Sequence, residues 1–287
     1  VGSFAGLLLL GAWFVGDAGP NLSGRLDPLV ASGLSLAYGS EPELETDRVE
    51  PVELSLDRSA PIFEVSSRYL SVAIDISQVA GGRWWSPEGH VEVGRGSKRV
   101  EPFDFSRPKL RKLAEQLSPA YLRVGGTEAD HVYYAVDSAE PPTTLPEGYE
   151  LSLSRERWDA MADFTRDAGL NLMFTVNAGP GPRAGGKAWQ AENAESLMAY
   201  AEGRGDDVAV WELGNEVNGY WFIHGMDQQP DGEQYARDLR SFGETVENHY
   251  PLAKVAGPGS IFFPVVGRPM GWKFGVLESF LASAGAN

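Results

Sequence analysis

What most constrains this chain is an alternation that begins at Tyr69: strand signals and helix signals follow one another, strand first, with no hairpin among them. YLSVAIDI (69–76) is a near-continuous apolar run and reads as a strand buried on both faces. A helix is predicted over 105–117, with Leu110, Leu113, Ala114 and Leu117 at helical spacing. YLRVGG (121–126) is a strand ending in glycines, and a helix over 154–169 runs from Ser154 as N-cap to Gly169 as stop. NLMFTVNAG (171–179) is a further buried strand, followed by a helix over 187–203 that ends on Gly203. VAVWELGNE (208–216), an amphipathic helix over 233–250, KVAGPG (254–259) and a helix over 274–285 complete the series. Five β-then-α units in a row imply parallel strands joined by helical crossovers.

Two architectures satisfy that pattern, an open doubly wound sheet and an eight-fold (β/α) barrel. A nucleotide-binding doubly wound domain wants GxGxxG directly after its first strand, which DISQVAGGRWW does not supply. GPGPRAGG (179–186) is glycine-rich, but its two prolines remove amide donors that a phosphate cradle needs. The fold class expected is therefore α/β, a (β/α)8 TIM barrel of which about five units are present, with the chain the front part of a larger protein. The barrel is assigned to 66–287.

The segments before it differ in kind. FAGLLLLGAWFV (4–15) is too short for a bilayer, which needs about 20 residues. It reads as the apolar centre of an export signal within 1–18, with a buried N-terminal helix as the alternative. Residues 19–50 read as a linker rich in Gly, Pro, Ser and acidic groups. VELSLDR (52–58), within 51–65, alternates like a half-buried strand. An exported protein without stable membrane insertion after signal removal is the expectation.

Composition narrows the chemistry. The 287 residues hold 24 Lys+Arg against 40 Asp+Glu, a formal charge of −16, which argues against nucleic acid as a partner. There is no Cys, so thiol catalysis and Cys-ligated zinc are excluded. The four histidines, His90, His131, His224 and His249, have no i, i+4 pair on one helix, and nothing calls for a metal or another cofactor. Ser86, Ser138 and Ser260 lack a nucleophile-elbow pattern.

Active-site groups of a barrel lie at the C-terminal ends of its strands. Here those ends supply Asp75, then Gly125-Gly126-Thr127, Asn177, Asn215-Glu216 and Gly257-Pro258. Glu216 is the sharpest, a carboxylate that follows an apolar strand and lies near Trp211, Tyr220 and Trp221 in sequence. Desolvation there would raise its pKa toward that of a general acid. A solvated loop carboxylate, or one paired with an Arg, fits its position equally well.

WELGNEVNGY (211–220) resembles the strand-four motif of barrel glycosidases that retain anomeric configuration. SVAIDISQVAGGRWW (71–85) and KLRKLAEQLSPAYLRVGGTEAD (109–130) narrow the resemblance to glycoside hydrolase family 79, the heparanase and β-glucuronidase family, from about Ser66 to Gly285. The resemblance implies that Glu216 is the acid/base and that Asn215 contacts the sugar 2-hydroxyl. It also implies that Asp75, Gly126 and Thr127 line the uronate subsite, and that the nucleophile is a second Glu on a strand beyond Asn287. It makes the 52–58 strand the leading strand of a β-sandwich domain. The implied substrate is a glucuronic-acid-containing glycoside or oligosaccharide. Val217 and Glu128 depart from the pattern of the heparanases, which often carry Pro and, in mammals, a basic residue there. Together with the charge of −16, this favours small or lightly charged β-glucuronides over heparan sulfate. An endo-acting glycanase on the same barrel and a non-catalytic sugar-binding relative are the alternatives. Trp84 and Trp85 either stack a sugar ring or pack a loop, and Tyr133 and Tyr134 either line the cleft or fill the rim.

Overall fold

A computed structural model describes residues 63–84, 98–138, 140–183, 188–261 and 276–284. The chain divides into two compact units, one of 1–66 with 86–88 and one of 67–85 with 89–287. The described strands and helices all belong to the second. The expected export segment, the linker and VELSLDR lie outside the described residues.

The second unit is built on one five-stranded sheet: β1 (Val72–Asp75), β4 (Tyr121–Gly125), β7 (Asn171–Val176), β8 (Val208–Leu213) and β9 (Lys254–Ala256), hydrogen-bonded in that order. Every neighbouring pair is parallel. Spatial order thus equals chain order, with no reversal of the kind that creates the crevice of a doubly wound sheet.

The two faces of this sheet are unlike. Leu122, Val124, Leu172, Phe174, Val176, Trp211 and Leu213 point one way and are buried. Tyr121, Arg123, Asn171 and Met173 point the other way and are half-buried. Helices cover the first face. Helix α3 (Arg155–Asp167) is capped by Ser154, whose hydroxyl accepts from the Arg157 N–H, and it lays Trp158 against the sheet. The Trp158 ring is stacked parallel on Trp211 at 6.3 Å and sits edge-on to Phe174 at 5.1 Å. Its Nε1 donates to Asp206 at 2.8 Å, so the indole is satisfied at both its apolar and its polar end. Helix α7 (Gly232–His249), capped by Asp231 through the Gln234 N–H, buries Tyr235, Phe242 and Val246 on the same side.

A fully buried ion pair joins Arg183, in the segment after β7, to Asp238 of α7 at 2.6 Å. On the half-open face an open cavity of about 450 Å³ is lined by Ser71, Val72, Ala73, Tyr121, Arg123, Met173 and Val210.

Several expectations need correction. The run 69–76 is not buried on both faces: Tyr69 and Leu70 are exposed, and among the described residues β1 lies at the end of the sheet with only its C-terminal half covered. Strand 171–179 is buried as expected from Phe174 to Gly179, Thr175 on the half-open face included, and only Asn171 and Met173 on that face are half-buried. Antiparallel pairing does occur, between β2 (Gly82–Trp84) and β3 (Lys98–Val100). β5 (Val132–Ala135) and β6 (Leu151–Ser154) form a separate parallel pair beside the main sheet. The first long helix, α2, starts at Pro108 (Pro108–Glu115), and its Leu113 faces solvent at 61% exposure. Gly203 does not end its helix. The helix (Glu192–Arg204) closes on Gly205, whose left-handed φ of 75° suits a C-cap. Among the described residues no helix is long and apolar enough to cross a membrane.

Candidate active site

The C-terminal ends of the parallel strands converge on a small set of polar groups. Arg123, Thr175 and Glu212 stand on the half-open face of three successive strands, and their side chains meet. Glu212 Oε2 accepts from Arg123 Nε at 2.8 Å and from the Thr175 hydroxyl at 2.5 Å, with the second Arg123 nitrogen, Nη2, at 2.7 Å. That same Nη2 donates to Asn215 Oδ1 at 3.1 Å. A guanidinium can only donate, so the amide oxygen of Asn215 must face it and the Nδ2 amine must face the other way. Arg123 thereby sets which end of Asn215 is presented.

Beyond β8 the chain turns sharply. Gly214 takes φ 73°, which a Cβ would resist both by strain and by collision with Tyr220 and Ala178. Two residues later Glu216 adopts φ 53°, ψ 42°, the one left-handed non-glycine residue among those described. For an L-residue this costs about 1–2 kcal/mol. The turn is held from several sides. The Gly214 N–H donates to Val176 O, the Val217 N–H to Gly259 O at 2.9 Å, and the Asn215 N–H to the buried Asp130 carboxylate at 3.0 Å.

The Glu216 carboxyl is half-buried and makes no side-chain hydrogen bond to the described residues. Burial raises its pKa, and the positive charge of Arg123 pulls it partly back. In its protonated form, a carboxyl with raised pKa and no committed partner can give its proton to a ligand atom. Trp211 takes no part in this desolvation: it points to the helix-covered face, and Tyr220 is the buried aromatic beside the turn. Sequence proximity misassigned Trp211 because successive residues of a strand face opposite ways.

Asp75 closes the site on the β1 side. Its register partner is Gly125, and a β-carbon on Gly126, which has φ 96°, would overlap the Asp75 carboxylate. Asp75 Oδ1 accepts from the Ser77 N–H at 2.9 Å. Burial, chiefly, pushes its pKa up to about 6, with Glu128 adding to the rise and the Ser77 hydrogen bonds opposing it. Thr127 opens the 3₁₀ turn Thr127–His131 that leaves β4. Glu128 in that turn is buried, its carboxylate accepting from the Arg83 N–H at 3.3 Å.

Not every predicted strand-end residue belongs to this constellation. Asn177 is a strut: its Nδ2 donates to Val132 O, its Oδ1 accepts from the Gly179 N–H, and its backbone bonds Tyr134 and Trp189. Gly257-Pro258 follow β9, and their role is to lead Gly259 to the Glu216 turn. Tyr134 is core, while Tyr133 packs edge-on to Tyr149 at 5.3 Å. Trp84 is 39% exposed on β2, and Trp85 lies outside the described residues.

Four residues escaped the sequence reading: Arg123, Asp130, Thr175 and Glu212. Parity could have found three of them. Counting back by twos from a strand's polar end puts Arg123, Thr175 and Glu212 on one face of consecutive parallel strands.

Residues 54–265 match the family described as Glycosyl hydrolase family 79, N-terminal domain. The chain is 29% identical to heparanase of Mus musculus over 304 residues, covering 90% of this chain and 50% of that protein. It is 28% identical to hyaluronoglucuronidase of Hirudo nipponia, covering 76% of this chain and 45% of that one. To baicalin-beta-D-glucuronidase of Scutellaria baicalensis it is 24% identical, covering 70% and 42%. It thus spans half or less of the length of these relatives. With the family matched over most of its residues, and with a polar constellation at the ends of its parallel strands, the chain belongs to glycosyl hydrolase family 79 and contains that family's N-terminal domain.

Proposed function

We propose that the intact protein is a retaining glycosidase acting on β-glucuronides, with Glu216 as its acid/base. One observation carries the reading: a desolvated carboxyl of raised pKa, uncommitted to any side-chain partner, stands next to an asparagine whose amine is turned outward by Arg123. In the first step a second carboxylate attacks the anomeric carbon as the glycosidic C–O bond breaks. Glu216 passes its proton to the departing oxygen. In the second step a water gives a proton to Glu216 while its oxygen displaces the enzyme carboxylate. The two carboxyls of such a pair stand about 5–5.5 Å apart. The second is assigned to a strand C-terminal to those described, on the family resemblance. Asn215 Nδ2 is suited to the sugar 2-hydroxyl, and Asp75, Gly126 and Thr127 to the uronate subsite.

A sheet whose spatial order equals its chain order, with helices on one face, supports an arc of a (β/α)8 barrel. The leading β-sandwich strand within 51–65 and an export signal within 1–18 belong to the same proposal. Small glucuronides are preferred over sulfated polymers, because a chain at −16 repels a dense polyanion far more than a ligand with a single carboxylate.

The test is Glu216→Gln and Glu216→Ala in the intact protein. Turnover of phenyl glucuronide should fall by about 10²–10⁴-fold. A dinitrophenyl glucuronide, whose leaving group needs no proton, should be cleaved at nearly the original kcat/KM. Azide should restore turnover in Glu216→Ala by taking the place of the water. Undiminished cleavage of phenyl glucuronide by a correctly folded Glu216→Gln would end the assignment. Parallel assays on heparan sulfate and hyaluronan decide the substrate class, and a clear preference for heparan sulfate would overturn the choice made here.

A further inference from the structure

Outside the groups assigned above, one buried carboxylate links three strand ends at once. Asp130 lies in the 3₁₀ turn after β4 and is fully buried. Its Oδ1 accepts from the Ala178 N–H at 2.9 Å, just past β7, and its Oδ2 accepts from the Asn215 N–H at 3.0 Å, just past β8. The Tyr220 hydroxyl lies beside the same carboxylate, short of good hydrogen-bond geometry.

We infer that Asp130 is a positioning residue for the proposed acid/base, its two oxygens clipping the turn that carries Asn215 and Glu216 to the ends of the two preceding strands. The inference rests on the reading of Glu216 given above. Three observations support it. Glu216 sits in a left-handed conformation that its neighbours must hold, and the amides on either side of it are both pinned. The Val217 N–H is pinned by a backbone carbonyl, and the Asn215 N–H by Asp130 alone.

Second, the clip needs two acceptor atoms in one plane. A carboxylate has them. An asparagine has one, and its amine would be driven against a backbone N–H. Third, the group is retained where it is costly: burial raises its pKa to about 7, and the hydrogen bonds and the charge of Arg183 only partly offset this. A fully buried carboxylate serving packing alone would be replaceable by an apolar residue. Asp130 contacts no substrate position itself and acts through the turn.

The experiment is Asp130→Asn in the intact protein, read as kcat/KM on two glucuronides whose leaving groups differ in basicity. If the turn slips, Asn215 and Glu216 move together, so both substrates lose rate through the 2-hydroxyl contact and the phenyl compound loses more through proton donation. The expected result is a loss at least about tenfold larger on phenyl glucuronide than on the dinitrophenyl compound, the selectivity of an impaired general acid. Equal losses on both substrates, or no loss on either, would overturn the inference. Should Asp130→Asn fail to fold, Tyr220→Phe carries the same test. Removing the hydroxyl takes away a group that helps hold the Asp130 carboxylate in its charged, two-acceptor form, and phenyl glucuronide should lose at least threefold more than the dinitrophenyl compound. An unchanged ratio overturns it. The Glu216→Ala azide experiment keeps the two ideas apart. Rescue by azide together with a uniform Asp130→Asn loss sinks only the inference, and absence of rescue sinks the acid/base reading beneath it.

Discussion

Arg123 and Asn215 are 92 positions apart, yet one guanidinium nitrogen serves both Asn215 and Glu212. Asn215 is therefore oriented by a charge that is itself fixed by Glu212 and, through Glu212, by Thr175. Removing the cation should have two separable effects. Arg123 lowers the Glu216 pKa, so Arg123→Gln should let that pKa rise, and with Glu216 as the proposed general acid the alkaline limb of kcat/KM should move to higher pH. Glu212 would lose its counter-charge, which should cost on the order of 2 kcal/mol, less than the about 3–5 of a fully buried pair because Arg123 is partly exposed. A pH–rate profile and urea unfolding of the same variant measure the two.

Asp75 gives a pH dependence of stability with a definite sign. Its pKa is raised to about 6 in the folded protein, so the native state keeps a proton that the unfolded chain gives up. Native protein binds more protons between about pH 4 and about pH 6, and this contribution to stability falls as pH rises through that window. Above about pH 6 it is flat. Asp75→Asn should remove the slope and leave the protein more stable at neutral pH, by on the order of 2 kcal/mol after allowing for partial exposure. Urea midpoints at pH 4.5 and pH 7.5 (values chosen on either side of about pH 6) for both proteins test it.

The core is anchored at Trp158, fully buried between Phe174 and Trp211. Trp158→Ala should cost about 3–5 kcal/mol through lost burial and an unfilled cavity. Trp158→Phe should cost less, retaining the ring contacts while leaving Asp206 without its indole donor. Chemical denaturation of the two variants ranks them.

For the Arg183–Asp238 pair, the order of effects is informative. Arg183→Met leaves a buried aspartate unpaired and should destabilise by about 3–5 kcal/mol. The double variant Arg183→Met with Asp238→Leu should recover part of that loss, because the Asp238 charge is gone while Asp130 still lacks the counter-charge of Arg183. A double variant no more stable than the single would show that the ion pair does more than neutralise itself.

The parallel alternation was legible because it rests on local periodicity and on glycine stops, and the five main strands lie where their apolar runs predicted. What could not be read was which face of each strand would be covered. Runs such as 171–176 look continuously apolar, but Met173 and Thr175 face the half-open side while Phe174 and Val176 face the helices. The β5–β6 pair is hidden for another reason, since it joins residues 19 positions apart in parallel across a Pro-rich loop, and nothing local marks the two segments as partners. Glu216 and Asn215 announced themselves by position after an apolar strand. Asp130 did not: in GGTEADHV it looks like an ordinary turn acid, and its burial depends on contacts with residues 48 and 85 positions away.

The left-handed torsion of Glu216 has a consequence for how this protein can change. Glycine or asparagine would sit there with less strain, so a more robust fold is available at this position by a single substitution, and only by discarding the carboxyl. On the acid/base reading proposed above, screens for thermal tolerance alone should therefore enrich inactive variants altered at position 216, whereas screens that also demand turnover should leave it untouched and find their gains elsewhere.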